Sequence, residues 1–76
     1  MMSEIKNGKY RHFKGKEYQV IGLALDAETK EEIVVYKALY DSKEFGNEAL
    51  WTRTKENFLE CVNENGRLLP RFKFIG

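Results

Sequence analysis

Few residues in this 76-residue chain have the chemistry for covalent catalysis: one histidine (His12), one cysteine (Cys61) and two serines (Ser3, Ser42). A thiol becomes a nucleophile when a neighbouring base or positive field lowers its pKa. Cys61 instead reads as a strand residue among mostly apolar neighbours, which makes a buried structural thiol a better reading than a partner for His12. Zinc needs three or four Cys, His or carboxylate ligands at defined spacings, and the sequence offers none. Neither a Gly-x-Gly-x-x-Gly turn nor a P-loop is present to cradle a phosphate. Asp26, Glu28, Glu31 and Glu32 lack the glycine and the ligand spacing of a calcium loop and read as a solvated hairpin tip. No catalytic residue, metal or cofactor is expected.

Non-covalent recognition is better represented. Aromatic residues make up 13% of the chain, and several are interleaved with basic ones, as in Tyr10-Arg11-His12-Phe13-Lys14. On an extended backbone Trp51 and Arg53 share one face, and Tyr36 and Tyr40 share another. Tyrosine and tryptophan combine an apolar body with a polar handle, and a guanidinium anchors anions. Tyr10, His12, Tyr36, Tyr40, Trp51 and Arg53 are therefore the candidate ligand-binding set: a shallow groove for a protein, a peptide or a small ligand. The same rings would serve as core or rim packing, and Phe13, Phe58, Phe72 and Phe74 read as core.

Thirteen basic against twelve acidic residues leave a net charge of +1, which by itself selects no nucleic-acid, membrane or acidic partner. The distribution is uneven. Residues 1–16 carry +4, residues 65–76 carry +3, and the middle is acidic. If the first and last strands are neighbours, one side of the domain is basic, which suits nucleic acid or a phosphate anion; two solvated basic strands are the plainer reading. No apolar run approaches the roughly 18–20 residues that span a bilayer, and the first ten residues hold no signal-peptide core. With a single cysteine, a reducing cytoplasm is the expected location and no membrane partner is expected.

Strands must position these side chains. Val, Ile, Leu and Tyr dominate 17–25 and 32–40, and the β-branched run Ile33-Val34-Val35 argues against the helix that Thr29-x-x-Glu32 might cap. Both alternating sets of 17–25 are mostly apolar, so that strand is largely buried or bends at Gly22. Asn65-Gly66 suits a two-residue turn that places Glu64 opposite Arg67, Val62 opposite Leu69, Glu60 opposite Arg71 and Leu59 opposite Phe72. Lys14-Gly15 predicts a weaker turn with His12 opposite Glu17 and Arg11 opposite Tyr18. If Phe13 faces the core, His12 one place earlier points outward, in a polar cluster with Arg53. Its pKa would fall beside Arg53 and rise beside Glu17, and the register, which sets Glu17 directly opposite, favours the rise. Thr54 predicts a capped helical turn near 54–58. Six strands, near 8–13, 17–25, 32–40, 49–54, 58–63 and 67–74, predict an all-β fold: a small closed or nearly closed barrel over residues 8–76, behind a flexible segment, residues 1–7.

The ordered blocks Tyr10-x-His12-Phe13-Lys14-Gly15-x-x-Tyr18-x-Val20, Glu28-Thr29, Val34-Val35-Tyr36, Leu39-Tyr40, Leu50-Trp51-x-Arg53, Phe58-Leu59-Glu60 and Pro70-Arg71-Phe72 resemble the bacterial family called domain of unknown function 1653. The resemblance runs from about Gly8 to Ile75 and implies no established activity. Thr54 is a departure, standing where that pattern carries proline. More distantly, Trp51 to Glu60 looks like the end of an SH3-like barrel of five to six antiparallel strands with one short helical turn. The combined expectation is a non-catalytic binding module using the aromatic and basic groove. The alternative is a nucleic-acid or phosphate binder acting through the basic terminal strands.

Overall fold

The computed structural model describes residues 5–76. In chain order the elements are β1 (Gly8–His12), β2 (Glu17–Leu25), β3 (Glu32–Ala38), β4 (Asp41–Ser42), β5 (Gly46–Asn47), β6 (Leu50–Thr54), α1 (Lys55–Leu59), β7 (Cys61–Glu64), β8 (Arg67–Pro70) and β9 (Phe72–Phe74). Five strands form one antiparallel sheet in the order β6-β3-β2-β1-β9, while β4–β5 and β7–β8 are two-stranded ribbons. Among the described residues no helix is long and apolar enough to cross a membrane.

Local chemistry explains the elements. The β-branched run makes β3 a strand, with Val34, Tyr36 and Ala38 buried on one face and Ile33, Val35 and Lys37 less so on the other. In β2 the ladder skips Ile21: Val20 pairs with Tyr36 and Gly22 with Val35. This bulge reverses the alternation, so that Leu23 lies opposite Val34, and it accounts for a strand apolar on both of its alternating sets. Asn65 (φ 53°) and Gly66 (φ 80°) are the two left-handed residues of the β7–β8 turn, in the expected register of Val62 with Leu69 and Glu64 with Arg67. The register continues past the ladder, where the Arg71 guanidinium meets the Glu60 carboxylate at 3.1 Å.

Two registers differ from the sequence expectation. Leu59 does not face Phe72. The Thr54 hydroxyl accepts from the Asn57 N–H at 3.1 Å and caps α1, which extends the helical turn through Leu59 and leaves that side chain 45% exposed. Phe58 faces the core in its place, and the strand expected from 58 begins at Cys61, whose thiol is exposed rather than buried. In the first hairpin Arg11, not His12, lies opposite Glu17, and the two are ion-paired at 3.1 Å. The loop is the three residues Phe13-Lys14-Gly15, closed by the His12 N–H donating to the Lys16 carbonyl at 2.8 Å. Gly15 takes φ 108°, a conformation that a lysine avoids, so the longer loop moves the strain onto the one residue that bears it without cost.

The sheet curls. In the ladder order β3 and β9 are three strands apart, about 14 Å in a flat sheet. The rings of Tyr36 and Phe72 are nevertheless 5.4 Å apart, centre to centre. Arg53, on the far edge strand β6, brings its guanidinium to 5.6 Å from the same Phe72 ring. Phe58 fills the hollow, stacked on Phe72 at 4.3 Å with 5° between planes and edge-on to Tyr10 and Tyr36. Among the described residues no ladder joins β6 to β9, so the fold is all-β and barrel-like in curvature, with the seam between the edge strands bridged by side chains and α1 instead of backbone hydrogen bonds. Tyr10, Val20, Val34, Tyr36, Phe58 and Phe72 form the core, with Ile5, Tyr18 and Trp51 packed on it. Of the N-terminal segment, residues 1–4 lie outside the described residues, while the Lys6 carbonyl accepts from the Tyr10 hydroxyl at 2.9 Å.

Replacing either stacked ring should therefore cost far more than truncating the adjacent exposed side chain. Phe58→Ala or Phe72→Ala is expected to lose about 3–5 kcal/mol in urea unfolding. Leu59→Ala should lose less than about 1 kcal/mol.

Candidate functional site

The β3–β6 ladder places Tyr36 opposite Trp51 and Val34 opposite Arg53, so both β6 candidates point to the concave face. At the end of β3, Ala38 lies opposite Tyr18 and is 1% exposed. Its small side chain leaves space that two tyrosines frame. Tyr40, two residues further on, meets Tyr18 through their hydroxyls at 2.7 Å. The loop after Tyr40 folds back as the β4–β5 ribbon. The Ser42 hydroxyl accepts from the Glu44 and Phe45 N–H groups, each at 3.2 Å, which aims Phe45 at Trp51, with ring centres 5.0 Å apart and edge-on. The result is an open pocket of about 290 Å³ whose principal walls are Tyr18, Tyr36, Tyr40, Phe45, Trp51 and Arg53.

Hydrogen-bond donors dominate its polar atoms. Arg53 donates from Nε to the Tyr36 hydroxyl at 3.0 Å and from Nη1 to Asn57 Oδ1 at 2.5 Å. Arg71 and Arg11 hold carboxylates, whereas Arg53 has no carboxylate within ion-pair distance among the described residues. Burial pushes the Tyr36 hydroxyl up from its ordinary pKa, only partly offset by Arg53. Burial and then the Tyr40 hydrogen bond push Tyr18 up as well. Both hydroxyls stay neutral donors at ordinary pH. The Trp51 indole N–H is buried without an acceptor among the described residues, although a buried indole N–H normally finds one. The arrangement can stack a flat group and donate hydrogen bonds to it. No group of three or more His, Cys, Asp or Glu side chains gathers among the described residues to hold a metal.

Four of the six sequence candidates, Tyr36, Tyr40, Trp51 and Arg53, meet in this pocket. Tyr10 does not: it is core, edge-on to Phe58 and Phe74, and burial raises its hydroxyl pKa. His12 does not join them either. It shares the inward face of β1 with Tyr10, and its ring lies 4.9 Å from Phe72. On its other side it borders a separate cleft of about 180 Å³ with Phe13, Leu69, Pro70 and Lys73. The expected Glu17 pairing is overturned, because Arg11 holds that carboxylate. The His12 pKa is consequently lowered, first by burial and then by the charges of Arg53, Arg71 and Lys14. Tyr18 and Phe45 were absent from the candidate set. Tyr18 carried a signal, since it alternates with Val20; Phe45 sits in a loop with no periodicity to reveal it.

Residues 8–74 match the profile of a protein family described as "protein of unknown function (DUF1653)". The chain belongs to the DUF1653 family. A crystal structure of a DUF1653 protein from Bordetella bronchiseptica superposes with a TM-score of 0.87 at 36% identity, over 100% of this chain and 94% of that one. No curated protein matches. The DUF1653 match spans every wall of the pocket, from Tyr18 to Arg53.

The lowered His12 pKa gives this DUF1653 domain a stability sign. A histidine held neutral in the fold contributes fully above its unfolded value, about 6.5, and the contribution is lost as pH falls through the folded value. An NMR titration of the single imidazole should give a midpoint below 6.5, and urea midpoints should drop on acidification more in the native protein than in His12→Phe. A midpoint above 6.5 would contradict the burial.

Proposed function

We propose that this DUF1653 domain is a non-catalytic binding module whose aromatic groove receives a small ligand or a side chain of a peptide or protein partner. The observation that carries the reading is the convergence of Tyr36, Tyr40, Trp51 and Arg53, from two strands and a loop, on one open pocket, backed by an indole N–H that has no acceptor among the described residues. Well-defined aromatic walls with a few placed polar groups are the usual anatomy of a ligand site. The free, exposed thiol of Cys61 supports a reducing, cytoplasmic setting.

One observation favours a second reading. β1 and β9 are neighbours, with Arg11 opposite Lys73, so the basic terminal strands do share a side. Arg11 and Arg71 there already hold Glu17 and Glu60, which reduces the field available to a nucleic-acid or phosphate partner.

A fragment panel followed by ¹⁵N–¹H NMR separates the two. The groove reading expects hits that shift the Trp51 indole signal and lose at least about tenfold in affinity on Trp51→Ala, as hot-spot aromatics do. Hits scattered away from the groove count against it. The basic-strand reading expects oligonucleotide binding that weakens steeply with salt and shifts Lys9, Lys14 and Lys73.

A further inference from the structure

We infer that the groove recognises a carboxylate attached to a flat or aromatic body. The inference rests on the binding-module reading and adds the ligand's chemistry. Every polar side chain in the walls is cationic or can donate. Arg53 Nη2 makes no hydrogen bond among the described residues, and no wall residue is a carboxylate. The Tyr36 oxygen is already accepting from Arg53, which leaves its own proton free to donate. Of the Tyr18–Tyr40 pair, one hydroxyl proton is spent between them and the other is free. The Ser42 oxygen accepts from two backbone N–H groups, so its proton too is available. The Trp51 indole N–H, buried behind the same wall, is a further donor without an acceptor among the described residues. A second cation lies alongside, Lys16 Nζ, 4.6 Å from the centre of the Tyr40 ring.

A site of this kind, rich in donors and walled by rings, rejects a ligand that brings only donors, because buried donors would face donors. It favours one that brings acceptors and negative charge. A carboxylate oxygen can accept from the free Nη2 of Arg53, and hydrogen bonds to a charged acceptor are about twice as strong as neutral ones. The pocket volume of about 290 Å³ admits a ring beside that group, with Phe45, 58% exposed, and Trp51 as neighbouring aromatic walls.

The test uses the single tryptophan as reporter in the intact domain, with aryl carboxylates (benzoate, phenylacetate, indole-3-acetate) and their matched primary amides as probes. Because each pair is nearly identical in shape, the comparison needs no variant. Trp51 resonances and fluorescence should respond to carboxylates at affinities at least about tenfold above their amides, the scale of one charge-assisted hydrogen bond. Arg53→Gln should erase that preference, and Arg53→Lys should restore part of it; circular dichroism confirms the folded state of each. If amides and carboxylates bind equally at Trp51, the carboxylate inference falls while the groove reading stands. If no probe of either kind perturbs Trp51, the inference falls and the groove reading loses its support with it.

Discussion

The stack of Phe58 on Phe72 is the contact on which the rest of the molecule depends. A five-stranded sheet of this length has two unpaired edges and, in so short a chain, too little apolar surface for a second layer. Curling brings the concave face together on itself. Phe72 reaches Tyr36 and His12 from the β9 side, Phe58 descends from the single helical turn, and six buried side chains become one core. The seam between edge strands is then spanned by rings and by α1, which joins β6 to the β7–β8 ribbon.

The pocket is a by-product of that solution. Curvature that brings Tyr36 against Phe72 also brings Arg53 over the same ring, and Arg53 donates back to Tyr36 and to Asn57 on the helix. One guanidinium thus touches the core, the helix and the pocket wall. Its Nε and Nη1 each have a partner, and Nη2 is the nitrogen left without one among the described residues. Ala38 keeps the space beside it open because a larger side chain opposite Tyr18 would fill the hollow that Tyr40 and Phe45 frame. Stability and recognition are drawn from one aromatic network, in which edge-to-face contacts at about 5–6 Å recur from Tyr10 to Tyr40.

Much of this was legible in the residues, and the exceptions have physical causes. The β-branched run in β3, the bulge beside Gly22, the cap at Thr54 and the Asn65-Gly66 turn each express a local rule strong enough to survive folding. The first hairpin misled because a lysine next to a glycine suggests a two-residue turn, whereas the chain spends one more residue and lets glycine alone take the left-handed position. That single step moved His12 from the solvent to the inner face and exchanged Glu17 for three cations as its electrostatic surroundings. Barrel closure was expected from the edge problem, but the number of strands leaves the seam to side chains, which no periodicity reveals. Tyr36, Tyr40, Trp51 and Arg53 were readable as a site because alternation fixes their faces. Phe45 was not, since its position depends on a loop turn capped by Ser42.

Nuclear Overhauser contacts across the concave face measure the curl of the sheet directly. Ring protons of Phe72 should show cross-peaks to Tyr36 and to the Arg53 side chain, although their strands are three and four places apart in the sheet. Cross-peaks confined to neighbouring strands, with Phe72 seeing only β1 and Phe58, would mean a flatter sheet in which Arg53 leaves the core and the pocket loses its floor.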